Sequence, residues 1–350
     1  MKTIRNLTLA LAGALFSQLT FAATYFEIFT EADAIAGNTD FLETVVSDGD
    51  NTVVFTRAGS GGVDSTEIRS FETFNGNGFF GSLVDNATWV ASRSGSGEAN
   101  GFNGASITSS GEVRFFSFSD RSYNSVNLTT GAVSTLVSAT DFDNFTGLST
   151  NVSAFNSVAS DGSGIFIDFE TDSVLGVSAA GTISTAVGAS NLAAFAGTSY
   201  NSIAYNGTNI LVGSNTNDEI VSFDAAGVGT TILTTAQIES VTDDIDGRAG
   251  AASLFYAPDG LVYFYENDSD YILSFDPNDA ENTLEVVISE ADLIAGPNNS
   301  DAVNQLTWFN GQLAWTDQSD GFYAFSNIPE PSTAILGLLG ALSLLRRKRA

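Results

Sequence analysis

The chain has 350 residues and a formal net charge of −29, and it contains neither cysteine nor histidine. The absence of both residue types excludes disulfide bonds, Ser-His-Asp and Cys-His catalysis, and zinc sites built from histidine or cysteine. So negative a charge also disfavours binding to nucleic acid or to anionic lipid, because phosphate groups are repelled.

The first 22 residues have the organisation of a secretory signal peptide. Lys2 and Arg5 form a basic start, Leu7–Leu19 is an apolar run, and small residues precede a cleavage point after Ala22. This order of basic, apolar and small residues is typical of exported proteins. We therefore expect signal peptidase to remove residues 1–22.

About six copies of one four-strand unit follow, between residues 23 and 327. The early copies are weak, whereas residues 182–224, 227–276 and 283–327 are clear copies. One aspartate recurs in the turn before the last strand of the five later copies, at spacings of 52, 46, 52 and 50 residues: Asp120, Asp172, Asp218, Asp270 and Asp320. A period of about 50 residues with four strands per unit is typical of β-propeller blades.

The last copy, Thr283–Asn327, shows how the unit is built. Turn residues separate four short apolar runs, which predicts four strands: Leu284–Ile288, Gln305–Phe309, Gln312–Thr316 and Phe322–Phe325. After the first of them, Ser289 and Asp292 resemble a capping box. This predicts a helical turn over Glu290–Ala295, with Gly296 as its C-cap.

The segment after the predicted signal peptide repeats part of that last copy. FTEADAIAG at Phe29–Gly37 and ISEADLIAG at Ile288–Gly296 are nearly the same sequence. We expect Tyr25–Phe29 to pair beside Phe322–Phe325 and to complete the last blade, because closing the ring removes exposed strand edges. The predicted fold of residues 23–327 is an all-β, six-bladed β-propeller of four-stranded blades.

The chain ends in a third region, residues 328–350, which has three parts. A triplet comes first: Pro329, Glu330 and Pro331. An apolar run of about 14 residues follows, which makes about 20 Å of helix, whereas a bilayer core needs about 20 residues. A basic cluster, which would stay cytoplasmic, ends the region: Arg346, Arg347, Lys348 and Arg349.

These three parts, in this order, resemble the PEP-CTERM sorting signal. The resemblance covers only the end of the chain. It implies a short transmembrane helix, recognition by an exosortase in a Gram-negative envelope, removal of the tail and often a link to extracellular polymer. A plain membrane anchor is the alternative.

Carboxylate chemistry is the main catalytic possibility that the composition leaves. The region between the two terminal segments has no lysine for Schiff-base chemistry, and no phosphate-binding GxxxxGK[ST] pattern is present. A glycosidase needs two carboxylates about 5–9 Å apart. The sequence does not select such a pair, and we predict no catalytic residue.

Oxygen-rich loops make calcium a candidate ligand, and no other cofactor is indicated. The loop at residues 242–247 supplies three carboxylates suited to a hard cation: Asp243, Asp244 and Asp246. Similar stretches lie at Asn267–Asp270 and Asp276–Asp279. Asp and Asn are also good turn formers, so ordinary turn chemistry is the alternative.

One face of the predicted propeller gathers several cationic and aromatic residues. The loops that enter each blade and the aspartate turns fall on the same face, and the longest of these loops is Asp85–Asn103. The predicted rim of this face comprises five residues: Arg57, Trp89, Arg93, Arg121 and Arg248. They form a shallow site for an acidic or sugar ligand, or they pair with nearby acids.

These features predict an exported, exosortase-sorted envelope or extracellular-matrix protein with a non-catalytic binding or scaffolding propeller. The alternative is a secreted carbohydrate-active enzyme that uses a carboxylate pair. The expected partners are signal peptidase, exosortase and extracellular polysaccharide, and not nucleic acid. The C-terminal helix would hold the protein transiently in the inner membrane before it reaches the cell surface or matrix.

Overall fold

The computed structural model describes residues 24–30, 41–48, 53–58, 68–74, 80–84, 88, 104–117, 121–150, 152–242, 250–296, 303–317 and 321–326. Tyr25–Phe325 is one compact unit. The chain ends form a second unit, of which Thr24 and Ser326 alone are described. The predicted signal peptide and sorting tail lie outside the described residues.

Most elements of the described chain are strands, and a few short helices connect them. In chain order the strands are β1 Thr24–Thr30, β2 Phe41–Ser47, β3 Val53–Ala58, β4 Ile68–Phe74, β5 Phe80–Val84, β6 Ser106–Ile107, β7 Glu112–Ser117, β8 Ser122–Asn127, β9 Val133–Val137, β10 Val152–Val158, β11 Gly164–Asp168, β12 Ser173–Val177, β13 Ile183–Val187, β14 Tyr200–Tyr205, β15 Ile210–Ser214, β16 Glu219–Phe223, β17 Gly229–Leu233, β18 Ala251–Tyr256, β19 Val262–Glu266, β20 Tyr271–Phe275, β21 Glu285–Ile288, β22 Gln305–Phe309, β23 Gln312–Asp317 and β24 Gly321–Ser326. The helices are α1 Ala139–Thr146, α2 Ala189–Ala196, α3 Thr235–Thr242, α4 Ala280–Thr283 and α5 Glu290–Ile294.

The strands form six four-stranded sheets. Five of them use consecutive strands: sheet I is β2–β5, sheet II is β6–β9, sheet III is β10–β13, sheet IV is β14–β17 and sheet V is β18–β21. Sheet VI has the order β1-β24-β23-β22, so the first strand of the chain joins the last three. The predicted closure by Tyr25–Phe29 beside Phe322–Phe325 is therefore confirmed.

The first strand of each sheet, which for sheet VI means β22, lies next to the neighbouring sheets around a common centre. β2 contacts β22 and β6, β14 contacts β10 and β18, β18 contacts β22, and β10 contacts β7 on its other side. Apolar clusters fill the space between adjacent sheets; one of them joins Leu211 of sheet IV to Phe264 of sheet V. Full burial of a side chain of this size stabilises the fold by about 2 kcal/mol. The β-propeller prediction is confirmed.

The sheet boundary differs from the predicted unit boundary. The predicted unit Thr283–Asn327 begins with β21, but Ile288 pairs with Ile272 of β20, which places β21 in sheet V. The helix that follows, α5, carries the chain to the next sheet. The predicted cap by Ser289 is present, because its hydroxyl accepts a hydrogen bond of 3.2 Å from the backbone N–H of Asp292.

Gly296 has a different role from the predicted one. Ala295 is the C-cap of α5, whereas Gly296 lies against the aromatic ring of Tyr25. A Cβ at this position would come within 1.8 Å of that ring. Glycine is needed here because no side chain fits between α5 and the closing strand β1.

Backbone geometry explains the recurring aspartates. Asp172, Asp218 and Asp270 have φ angles of 48°, 52° and 59°, in the left-handed region. Each of them directly precedes the third strand of its sheet. Asp tolerates this region better than most residues, because its short polar side chain bonds locally. In sheet II, Arg121 directly precedes the third strand and has a φ of 51°. Asp120 and Asp320 lie outside the described residues.

Among the described residues, no helix is long and apolar enough to cross a membrane. The predicted transmembrane helix falls in residues 328–350, outside the described part of the chain.

Candidate functional site

A cavity of about 800 Å³ lies among the first strands of the six sheets. Its wall includes residues of β2, β6, β10, β14, β18 and β22, and it follows β18 from Ala252 to Tyr256. It is therefore the axial cavity of the propeller. Cavities of about 300–1,000 Å³ are the usual size of small-molecule sites.

Irregular pairing in the first strands shapes this wall. In sheet IV, Tyr200 pairs with Ser214 and Ser202 with Gly213, which leaves Asn201 as an extra residue. Such bulges kink the strand and redirect a side chain, and they are common beside functional sites. Asn201 lines the cavity.

Sheet V has a similar irregularity in its first strand. The pairing of β18 with β19 shifts between Ala252 and Phe255. Within that stretch Ser253 has a φ of 50°, a region that costs about 1–2 kcal/mol for a non-glycine residue. Ser253 also lines the cavity.

The described lining is polar but nearly uncharged. It contains eight side-chain carboxamides: Asn156, Asn201, Asn206, Asn209, Asn267, Asn278, Asn304 and Gln305. Asp48 is the single charged side chain among these described lining residues. The described lining thus carries one formal charge, in a chain of net charge −29.

Some polar lining groups hold neighbouring sheets together. The side-chain Oε1 of Gln305 accepts a 3.1 Å hydrogen bond from the N–H of Val45, which links sheets VI and I. The hydroxyl of Ser253 donates a 2.7 Å bond to the carbonyl of Asn304, between sheets V and VI. Ser202 likewise donates to the carbonyl of Ala251. These groups have a structural role at the centre of the ring.

Other polar lining groups have no such role. The side chains of Asn201, Asn304 and Thr307 make no hydrogen bond within the described part of the chain. Thr307 is only 6% exposed, yet it lines the cavity. Donors and acceptors are therefore available to a ligand from sheets IV and VI, on either side of sheet V.

Aromatic rings supply the apolar part of the wall. Five of them are half-buried and line the cavity: Phe155, Tyr205, Phe255, Tyr256 and Trp308. The Trp308 ring lies 6.0 Å from that of Tyr263, whose hydroxyl donates a 2.8 Å hydrogen bond to Asp259. These contacts hold the Trp308 ring in place on β22, the edge strand of sheet VI that lines the cavity.

Two of the five predicted rim residues fall on described backbone. Arg57 is in β3, next to the connection that leads to β4. Arg121 donates hydrogen bonds of 2.9 Å to Asp143 and 2.8 Å to Ser149. This pairing matches the predicted alternative of arginines bound to acids. The remaining rim residues lie outside the described residues: Trp89, Arg93 and Arg248.

The predicted calcium ligands Asp243, Asp244 and Asp246 also lie outside the described residues. Within the described ranges, no group of three or more acidic side chains is arranged to hold a metal ion. Calcium binding stays a prediction.

A set of buried polar residues was not predicted from the sequence. They end the second strand of successive sheets, at spacings of 51, 46, 52 and 51 residues: Ser117, Asp168, Ser214, Glu266 and Asp317. Glu266 accepts a 2.7 Å hydrogen bond from the N–H of Gly250 and another of 2.7 Å from that of Ser269. The regular spacing could have revealed them. The buried carboxylates of Asp168 and Glu266 accept hydrogen bonds from residues in the turn that follows their strand.

No protein-family model and no curated protein matches the chain, but solved structures do. A catalytically inactive variant of virginiamycin B lyase from Staphylococcus aureus, with quinupristin, is 12% identical and has a TM-score of 0.54, covering 87% of this chain and 99% of its own. A gluconolactonase from Xanthomonas campestris is 12% identical, with a TM-score of 0.52 and coverages of 87% and 89%. A luciferin-regenerating enzyme is 10% identical, with a TM-score of 0.53 and coverages of 88% and 96%. At such identities the similarity shows the fold alone, and that fold is the β-propeller.

Proposed function

We propose that this chain is an exported, non-catalytic propeller that binds or scaffolds material of the cell envelope or extracellular matrix. Each of the six sheets is one blade of a closed ring, and the axial cavity is the ligand site. The observation that carries the proposal is the cavity wall, where carboxamides, hydroxyls and aromatic rings from all six sheets meet around about 800 Å³.

The same wall favours binding over catalysis. A glycosidase of the usual type needs two carboxylates, and the described lining offers one, on Asp48. The buried carboxylates of Asp168 and Glu266 are hydrogen-bonded in turns. The lyase variant named above is inactive with alanine in place of a histidine, and this chain has no histidine, so we do not extend that activity to it.

We also propose that the terminal segments address the protein to the envelope. Support comes from the basic-apolar-small order of residues 1–22 and from the Pro-Glu-Pro triplet, apolar run and basic cluster of residues 328–350. Signal peptidase would act at the first segment and an exosortase at the second. The compact unit Tyr25–Phe325 excludes both segments, so we expect the propeller to keep its fold when they are removed.

Co-sedimentation with extracellular polymer tests the proposal. Full-length protein is mixed with polymer isolated from the producing cells, the polymer is pelleted, and its size distribution is then measured by chromatography. We expect the protein to pellet with the polymer and the polymer length to stay unchanged.

Two outcomes contradict the proposal in different ways. Shortened polymer chains would establish the carbohydrate-active enzyme instead. Protein that stays in the supernatant would exclude a role in binding the matrix.

A further inference from the structure

We propose that the axial cavity binds an uncharged, polyhydroxylated chain, that is, a neutral oligosaccharide segment. This inference rests on the proposed binding function and adds the chemical class of the ligand. Three features of the wall lead to it: its charge, its unused hydrogen-bonding groups and its aromatic surface.

The charge of the wall excludes most ionic ligands. An anionic ligand would enter a cavity without any described cationic lining residue, inside a chain of net charge −29. A small cation would find one described carboxylate, on Asp48, where a hard cation such as Ca²⁺ needs about six to eight oxygen ligands. A neutral polar ligand meets neither difficulty.

The unused hydrogen-bonding groups match hydroxyl groups. A carboxamide offers an acceptor oxygen and two N–H donors, and a threonine hydroxyl both donates and accepts. Asn201, Asn304 and Thr307 carry such groups at the cavity wall, without partners in the described part of the chain. A sugar hydroxyl also donates and accepts, so it can satisfy either kind of group.

The placement of these groups suits an extended ligand. Asn201 lies in β14, whereas Asn304 and Thr307 lie at β22, and β18 runs between these two strands. A single hydroxyl cannot reach both sides, but consecutive sugar residues can. The bulge at Asn201 supports the assignment, because it takes this residue out of the regular strand pairing at the cavity wall.

The aromatic rings suit the other surface of a sugar. A pyranose ring has an apolar face of C–H groups, and an aromatic face is apolar with a negative potential that attracts them. Trp308 is half-buried and lines the cavity next to Thr307. We assign Trp308 to the sugar face and Thr307 to a neighbouring hydroxyl.

The test is calorimetric titration of purified full-length protein with defined oligosaccharides. The neutral probes are the hexasaccharides of β-1,4-glucose, α-1,4-glucose and β-1,4-xylose, and the charged probe is hexagalacturonate. We expect at least one neutral probe to bind, and hexagalacturonate not to bind at low salt or at about 1 M NaCl. At high salt, charges repel one another only over about 3 Å. Absence of binding at high salt would therefore reflect the chemistry of the cavity and not repulsion by the net charge of the chain.

Two matched variants locate the site. Thr307 and Thr316 are 6% and 2% exposed, and the hydroxyl of each makes no hydrogen bond within the described chain. Thr307→Val and Thr316→Val each remove that hydroxyl. Only Thr307 is among the lining residues. We expect Thr307→Val to weaken neutral-sugar binding about fivefold, the size of one neutral hydrogen bond, and Thr316→Val to leave it unchanged. Trp308→Leu should weaken it about tenfold or more.

Three results would overturn the inference. They are the failure of every neutral probe to bind, equal binding of hexagalacturonate, and equal effects of Thr307→Val and Thr316→Val. Loss of polymer co-sedimentation in Thr307→Val, without binding of any neutral probe, would reject the ligand class and leave the proposed function standing. Neutral-sugar binding without co-sedimentation would support the ligand class and reject the matrix function.

Discussion

The hydroxyl of Tyr25 donates a 2.6 Å hydrogen bond to the backbone carbonyl of Leu293, 268 residues further along the chain. The ring of Tyr25 also lies 4.9 Å from that of Trp315 and 5.8 Å from that of Tyr323. One residue of the first strand thus contacts both the helix before sheet VI and the strands within it. This contact therefore adds to the strand pairing by which β1 completes sheet VI.

Substitution of Gly296 should disrupt that closure. In Gly296→Ala the new Cβ would lie 1.8 Å from the Tyr25 ring, and overpacking of this kind costs about 1–3 kcal/mol. Gly188→Ala is the matched control, because nothing lies within 4 Å of its added Cβ. Urea unfolding should show a clear loss of stability for Gly296→Ala alone. Equal stabilities of the two variants would mean that α5 and β1 are not packed as described.

Alkaline pH should weaken the same contact. Burial first, and then the carboxylate of Asp317, raises the pKa of Tyr25 from 10.0 to about 12. Since the folded-state pKa is the higher one, the contribution of neutral Tyr25 to stability is complete below pH 10 and is lost between pH 10 and 12. The free energy of unfolding of wild-type protein should therefore fall more steeply across this window than that of Tyr25→Phe. Parallel curves would contradict the assigned shift.

The left-handed aspartates predict a gain of stability on substitution by glycine. Asp172 is exposed and has a φ of 48°, and glycine adopts this conformation without strain. Asp172→Gly should raise the free energy of unfolding by up to about 1 kcal/mol. At the exposed neighbour Glu170, whose φ is not positive, glycine should instead destabilise by about 0.5–1 kcal/mol. The same sign at both positions would show that backbone strain does not explain the repeated residue.

The C-terminal region should affect location and not stability. Truncation after Asn327 leaves the compact unit Tyr25–Phe325 intact, so the melting temperature should stay within about 2 °C, while the protein is released from the envelope. Replacement of Pro329, Glu330 and Pro331 by alanine should leave an unprocessed, membrane-held form, which intact mass spectrometry would detect. Unfolding of the truncated chain, or normal processing of the alanine variant, would contradict the sorting proposal.

The strand pattern was predictable because its physical signals are local. The predicted strand Gln305–Phe309 coincides with β22, and Gln312–Thr316 and Phe322–Phe325 fall within β23 and β24, since each is a short apolar run between turn residues. Ring closure was predictable from the repeated segment at Phe29–Gly37 and Ile288–Gly296. Both inferences need only the order of residue types along the chain.

The cavity was not predictable from those signals. Asn201 and Thr307 look like ordinary polar strand residues in the sequence, and they meet at one wall only because first strands about 50–100 residues apart surround one axis. A bulge such as that at Asn201 also breaks the period of two on which strand prediction rests. The residue pattern pointed instead to loop residues such as Arg121, which binds Asp143.

The central claim is that the axial cavity holds the envelope or matrix polymer. Its most direct test is the amount of protein that co-sediments with extracellular polymer for Thr307→Val and Thr316→Val, measured at equal protein concentration. Thr316→Val should bind as wild-type protein does, and Thr307→Val should need about five times more polymer for the same bound fraction. Identical binding curves for the two variants would mean that the polymer does not bind in the axial cavity.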